Sequence, residues 1–408
     1  MNYVIIGNST AAIGCVEGIR QVDKTGKITL ISSEPYHTYS RPLISYLLYG
    51  KTDEERMKYR PDSFYKDNGC TLLAGKTVTS VDPKNQKVLL NDGQKISYDK
   101  LLVATGSRPF VPPIEGLDKV KEKYTFMSLD DAKALEKALT PGTKVMIMGA
   151  GLIGLKCAEG IAHLVKSITV VDLADRILPS VLDAESASIV QKHLEQKNIS
   201  FILSDSVQSF EQNEATLASG KKVPFDVLVV AVGVRPNTNL VSDAGGKVNR
   251  GIVIDEKCKT SLSDIYAAGD CVESHDITID EKRILALLPN AYIQGETAGI
   301  NMAGGAKTYD SAIPMNAVGF FGLHVITAGS YGGEETVISD GSQYKKLIVK
   351  DGLLKGYIMV GDVRRAGIYT SLIRNQTPLD TIDFELMKEN PQLMAFSRKE
   401  RQKMLGVS

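Results

Sequence analysis

The stretch that decides the fold is KVMIMGAGLIGLKCAEGIA, residues 144–162. It opens as an apolar strand, turns at Gly149-x-Gly151-x-x-Gly154, and continues with a helical pattern. In such a turn the first glycine permits the tight bend and the second lets backbone approach a pyrophosphate. The third allows close helix–strand packing, with the phosphates at the helix N-terminus. A second strand, SITVVD, ends at Asp172. An acidic residue about 20 positions beyond the glycines completes the dinucleotide pattern. Asp172 would accept hydrogen bonds from a ribose and repel a 2′-phosphate, which favours NADH over NADPH. Arg176 lies close enough to soften that preference. A tightly packed turn without a nucleotide is the plain alternative, and the strand, helix and acid around the glycines weigh against it.

The same layout stands at the N-terminus. NYVIIGNSTAAIGCVEGIR (2–20) is followed by KITLISSE, ending at Glu34. Here the motif is degenerate, Gly7-x-Ser9-x-x-Ala12. Ser9 adds bulk where a glycine normally meets the phosphates, but its hydroxyl can donate to a phosphate oxygen. Ala12 is acceptable at the packing position, and Glu34 supplies the ribose carboxylate. Two β-α-β units imply two parallel sheets and two nucleotide sites, an α/β fold.

Further along, YDKLLVATGSRP (98–109) and FDVLVVAVGVRPN (225–237) form a second matched pair: an acid, a buried strand, a glycine and Arg-Pro. Pro109, Pro112 and Pro113 mark a stiff crossover, and Arg235-Pro236 the way back. This divides the chain into a discontinuous first domain (1–110 and 236–310), a second domain (111–235) and a C-terminal α+β domain (311–408). The last contains an Asp-Gly hairpin, YKKLIVKDGLLKGYIMVG, and a basic tail, expected to be helical, from Glu385.

Composition narrows the function. With 43% hydrophobic and 24% charged residues, 408 residues build real cores. A formal net charge of zero supplies no attraction to nucleic acid or an anionic membrane. No apolar run approaches the ~18 residues of a membrane span, and the N-terminus reads as a first strand rather than a signal peptide. Five scattered cysteines without a close pair point to free thiols in a reducing, cytoplasmic setting. The same spacing, with five histidines, offers no cluster or metal-site pattern.

With the two dinucleotide motifs, ATGSRP, YAAGD and PYHTYSRPLIS in view, the chain resembles the FAD- and NAD(P)H-dependent pyridine nucleotide–disulfide oxidoreductase superfamily over its whole length. It looks most like the branch of NADH:rubredoxin reductases and of the flavin portion of nitrite reductase. NAVGFFGLHVITAG and GYIMVGDVRRAGIY resemble that branch's C-terminal domain. The resemblance implies a glutathione-reductase-type fold: two Rossmann-like units plus a C-terminal α+β domain. It implies FAD held by Gly7, Ser9, Ala12 and Glu34, with Arg41-Pro42 along the pyrophosphate and isoalloxazine. Thr105, Gly106 and Arg108 form the next nucleotide-facing turn, and Gly269-Asp270 hydrogen-bonds the ribityl chain or phosphate. Pro289-Asn290 opens a helix aimed at the flavin pyrimidine, whose N-terminus would stabilise reduced, anionic flavin. Gly149, Gly151, Gly154, Asp172 and Gly233 hold NADH. The competing readings are a solvated surface arginine for Arg41 and a turn aspartate for Asp270.

Two departures stand out. Disulfide reductases of the superfamily keep a cysteine pair beside the flavin, and between Glu34 and Tyr65 there is no cysteine. Thiol chemistry is therefore not expected. Many relatives also pair a lysine and a glutamate beside the flavin, at positions that are Tyr46 and Lys156 here. Lys156 is expected to supply a positive charge near flavin N5, or else to point to solvent. Lys156, Tyr46 and Arg41 are the catalytic candidates. Electrons would leave to a small iron–sulfur carrier of rubredoxin or ferredoxin type, or to a cluster-bearing partner subunit, in a homodimer or hetero-oligomer. Lys345-Lys346, Arg364-Arg365 and the tail residues Arg398, Lys399, Arg401 and Lys403 are a candidate docking face. The alternatives are a structural or sensor subunit that binds the same nucleotides, and a disulfide reductase or NADH oxidase.

Overall fold

The computed structural model describes residues 1–398, 401 and 402. The strand Asn2–Ile6 is the centre of a five-stranded parallel sheet, ordered 265–267, 100–103, 2–6, 27–32, 70–74. Val4, Ile5 and Ile6 are all buried, as expected for a strand covered on both faces. Lys144–Met148 takes the same central place in a second parallel sheet, ordered 199–202, 167–171, 144–148, 227–230, 123–124. The internal repeat read from the sequence is thus a repeat of sheets. Five helices position the site: α1 (Thr10–Val22), α2 (Ile44–Leu48), α3 (Leu152–Ile161), α4 (Ala184–Glu195) and α5 (Leu288–Met302).

The two matched Arg-Pro segments meet. Ser107–Pro109 and Val234–Pro236 pair as an antiparallel ribbon, with Arg108 opposite Arg235. Like charges in register repel, and the side chains diverge. Arg108 donates to Asn237 Oδ1 at 2.9 Å, and Arg235 stacks on Phe110, 4.2 Å from the ring centre.

The C-terminal unit is a five-stranded antiparallel sheet ordered 315–320, 323–329, 353–360, 344–350, 334–339. Asp351 and Gly352, at φ +53° and +70°, make the tight turn between its longest strands, as their identities require. Lys346 joins this sheet to the second parallel unit. Its ammonium lies 2.6 Å from Glu335 and 3.1 Å from Asp183, the N-cap of α4, and Tyr344 donates to the same carboxylate at 2.5 Å. The helix expected from Glu385 is broken rather than continuous, with Arg398, Arg401 and Gln402 helical again beyond the break. Phe384–Glu389 is helical, Asn390-Pro391 ends it because proline disfavours a helical residue before it, and Phe396 then enters the C-terminal core. Lys399 and Lys403 lie outside the described residues.

The closest helix packing is between α1 and α5. A Cβ on Gly14 or Gly18 would collide with the carbonyl oxygens of Tyr292 and Glu296, and one on Gly295 or Gly299 with those of Ala11 and Cys15. Two Gly-x-x-x-Gly steps interlock backbone against backbone. Alanine is the better helix former by about 1 kcal/mol, but a methyl placed inside a carbonyl oxygen forces a shift of the kind that costs about 1–3 kcal/mol. Gly295→Ala should therefore lower the melting temperature. Gly367→Ala, in the helix Ala366–Arg374 with open space around it, should raise or preserve it. Equal melting temperatures for the two variants would contradict the seam.

Candidate active site

Both glycine turns stand at the C-terminal ends of the central strands. Gly7 (φ +124°) and Gly149 (φ +108°) adopt a backbone that side chains resist, and each faces a neighbouring carbonyl, Ala104 and Ala231, that leaves no room for a Cβ. Beyond each turn opens a cavity.

The first cavity, about 580 Å³, is walled by Gly7, Ser9, Ala12 and Glu34 from the first β-α-β unit. Arg41, Thr105, Gly106, Arg108, Gly269 and Asp270 complete it. Ser9 is the N-cap of α1, yet its hydroxyl makes no capping bond and remains available to a ligand. The Thr105 hydroxyl does not, because it donates to Asn237 O at 2.7 Å while Asn237 Nδ2 donates back to Thr105 O at 2.9 Å. Glu34 holds an ion pair with Arg41 and accepts from Tyr39 Oη at 2.6 Å, and Arg41 also donates to Met127 O at 3.3 Å. Burial pushes the Asp270 carboxyl above its usual range, opposed by the Ser107 hydroxyl at 3.4 Å and by the Arg41 charge.

The second cavity, about 690 Å³, lies over Gly149, Gly151 and the start of α3, with Asp172 and Gly233 in its wall. Nothing stands within 4 Å of a Cβ on Gly151, so any side chain there would enter the cavity. Gly154 does not line it. Its missing Cβ lets the helix close on Gly149 O, as the sequence pattern required. Asp172 is held at its strand end by the N–H groups of Ala150 (2.6 Å) and Ala174 (2.8 Å). Arg176, half-buried, donates to Leu182 O at 3.1 Å and Asp175 at 2.7 Å.

The two cavities share three wall residues, Ser107, Met127 and Asp270. They therefore adjoin at a common wall.

Several expected residues lie elsewhere. Pro42 is exposed and lines neither cavity, since the short turn Arg41–Leu43 directs Arg41 inward and Pro42 outward. Pro289 and Asn290 do not line the first cavity, whereas Leu288 and Ala291 do. The Asn290 side chain is buried, donating to Ile313 O at 3.1 Å and accepting from Tyr309 Oη at 2.8 Å. Lys156 and Tyr46 line neither cavity. Lys156, expected to place a positive charge near flavin N5 or to point to solvent, instead forms an ion pair with Glu159, one helical turn on and buried, with the ammonium 4.3 Å from the centre of the Tyr46 ring. The docking face also changes. Lys346 is buried in the bridge to Asp183 and Glu335, Lys345 donates to Glu389 O at 2.8 Å, and Arg365 donates to Pro391 O at 3.3 Å. Arg364 is exposed and paired with Asp362. Arg398 is exposed, and Arg401 donates to Met394 Sδ at 2.8 Å.

Ser107, Met127, Asn237 and Glu159 escaped sequence reading. Ser107 and Asn237 sit inside the Arg-Pro segments already singled out, and Glu159 stands three residues after Lys156, the spacing of a helical ion pair. Nothing local signalled Met127. Among the described residues no cysteine lines either cavity. Four are buried and Cys70 half-buried.

Paired parallel-sheet units whose nucleotide-type cavities meet define an oxidoreductase that couples two dinucleotides. Residues 1–295 match the pyridine nucleotide-disulphide oxidoreductase family and residues 314–377 the rubredoxin NAD+ reductase C-terminal domain. The chain belongs to the pyridine nucleotide-disulphide oxidoreductase family, whose members are FAD-dependent and act with NAD(H) or NADPH. It is 33% identical over 373 residues to the assimilatory nitrate reductase electron transfer subunit of Bacillus subtilis, covering 88% of this chain and 48% of that protein, about half its length. It is 30% identical over 390 residues to the NADH-dependent phenylglyoxylate dehydrogenase subunit epsilon of Aromatoleum evansii, 92% of each chain. The crystal structure of the covalent putidaredoxin reductase–putidaredoxin complex shares the fold at a TM-score of 0.87 and 24% identity, over 100% of this chain and 99% of that one. No helix among the described residues is long and apolar enough to cross a membrane.

The first cavity fits FAD on its own features: a helix N-terminus, a free Ser9 hydroxyl, and Gly106, where nothing stands within 4 Å of a Cβ. Gly151→Val should weaken NADH binding at least tenfold, because its side chain would project into the second cavity at the start of α3, while bound FAD stays at one per chain. Fluorescence titration and flavin absorbance read the two separately, and unchanged NADH affinity would contradict the assignment.

Proposed function

We propose that this chain passes electrons between NADH and a one-electron iron–sulfur carrier of rubredoxin or ferredoxin type, or a cluster-bearing partner subunit, without a redox-active cysteine. The observation that carries the reading is the junction of the cavities at Ser107, Met127 and Asp270, with no cysteine among the described residues of either wall. In this reading residues 1–110 with 236–310 hold FAD, 111–235 hold NADH, and 311–408 form an interface domain. The α1 N-terminus and Ser9 face the FAD pyrophosphate. Glu34 would take the ribose, Arg41 would lie along the pyrophosphate, and Asp270 would take the ribityl chain. Bound flavin supplies the chemistry of accepting a hydride as two electrons and releasing them singly. The protein orients the nicotinamide over the shared wall and keeps water from it.

In this reading NADH is favoured over NADPH, because Asp172 in the wall of the second cavity would repel a 2′-phosphate while Arg176, the nearby cation, is held by Leu182 O and Asp175. The names of the relatives support the electron-carrier reading: one is an electron transfer subunit, another an NADH-dependent dehydrogenase subunit, and the C-terminal domain is that of rubredoxin reductases.

Anaerobic titration of the FAD-loaded protein tests this. About one NADH per flavin should bleach the oxidised-flavin band without a thiol-to-flavin charge-transfer band, and NADPH should act at least tenfold more weakly. Flavin left oxidised by NADH would overturn the reading. Asp172→Asn should narrow the NADH preference, since it removes the charge that repels a 2′-phosphate. An unchanged NADH-to-NADPH ratio would remove Asp172 from that role.

A further inference from the structure

Three separate segments converge on Lys156, behind the wall of the second cavity. The first is α3 itself, whose Leu152 and Ile153 line that cavity one turn before Lys156. The second is α2, which continues directly from the Arg41–Leu43 turn and so from a wall of the first cavity. The third is Gly319–Phe321, at the tip of the first C-terminal hairpin.

The contacts interlock. Lys156 is ion-paired with Glu159, donates to Gly319 O at 3.1 Å, and lies over the Tyr46 ring. Glu159 receives the Phe321 N–H at 2.6 Å on its other oxygen. Both oxygens of this buried carboxylate are thus engaged, one by its own helix and one by the C-terminal hairpin. Phe321 holds φ +48°, and its ring meets Tyr49 just beyond α2 edge-on at 5.8 Å. α2 and α3 themselves cross closely, since a Cβ on Gly160 would stand 2.9 Å from Ser45 O.

A buried carboxylate with both oxygens engaged resists movement, because releasing either partner leaves charge uncompensated in a low dielectric. The consequence falls on alignment. α3 carries one wall of the second cavity and α2 continues from a wall of the first, and the Lys156–Glu159 pair, both residues on α3, ties that helix to the hairpin through Gly319 O and Phe321 N–H and to α2 through the Tyr46 ring. A misplacement of about 1 Å between reacting groups can slow a reaction about 100-fold. We propose that Lys156 and Glu159 are positioning residues that set the nicotinamide against the flavin through α3, acting on the reaction without touching either cofactor. This rests on the NADH-to-flavin reading above.

The test mixes FAD-loaded full-length protein with NADH anaerobically in a stopped-flow instrument. It reads the limiting rate of flavin bleaching and the NADH Kd, with FAD content and melting temperature measured in parallel. The variants are Lys156→Met, Glu159→Gln, their double, Lys156→Arg, and Tyr46→Leu, which leaves the ion pair intact should the charge variants fold poorly. Expected are a limiting rate at least fivefold lower in each single charge variant and a smaller loss in Tyr46→Leu, with FAD content and NADH Kd within twofold of the parent. The double variant should be no slower than the slower single, because both remove one device, and Lys156→Arg should restore most of the rate. Limiting rates within twofold of the parent in Lys156→Met, Glu159→Gln and Tyr46→Leu would overturn the positioning role alone. So would rates that fall only in step with FAD content, or additive losses in the double. A parent protein whose flavin NADH does not bleach would overturn the underlying reading, and this role with it.

Discussion

The fold depends on the crossing of α1 and α5. More than half of the chain separates these helices in sequence, yet four glycines let their backbones touch. The crossing brings the first glycine turn, the Gly269-Asp270 segment and the start of α5 around one cavity. A network of buried groups continues the joint: Gln294, on α5, accepts from Gly269 N at 2.8 Å and donates to Ser274. Small residues are needed because the contact is backbone on backbone. A larger side chain would push α5 outward and open the cofactor cavity from below.

From that joint outward, buried or half-buried charge is matched by partners from other segments. Glu34 meets Arg41, Asp183 meets Lys346 and Tyr344, and Glu159 meets Lys156 and the Phe321 N–H. Such pairs add modestly to stability, since desolvation offsets much of their attraction. Their geometric demands are strict, and each of the last two ties the second parallel unit to the C-terminal sheet. The second cavity is therefore bounded by elements held from two directions.

Reading outward from residues 144–162 identified both β-α-β units, the two matched strand–glycine–Arg-Pro segments and the Asp-Gly hairpin, because each rests on local chemistry: apolar period, glycine conformation, proline geometry. The cavity-lining residues among those expected, such as Ser9, Glu34, Asp172 and Asp270, belong to the same local patterns. The failures share a cause. Asn290 turns away because Tyr309 and Ile313 offer it partners from other segments. Lys345 and Lys346 look like a charged surface until strand pairing puts Lys346 inside an interface. Lys156 looks like a free cation until its helix sets Glu159 beside it and the C-terminal hairpin closes over both.

The sequence by itself determined the class of fold, the positions of two nucleotide turns and the acids that follow them, since these follow from the backbone freedom of glycine and the periodicity of buried strands. Only the tertiary structure decided that the two cavities meet at Ser107, Met127 and Asp270, that α1 lies against α5, and where each charge finds its counterpart. Those outcomes depend on contacts between residues far apart in the chain. No local pattern encodes such contacts, because the energy of a buried charge or a close helix crossing is set by what stands opposite it.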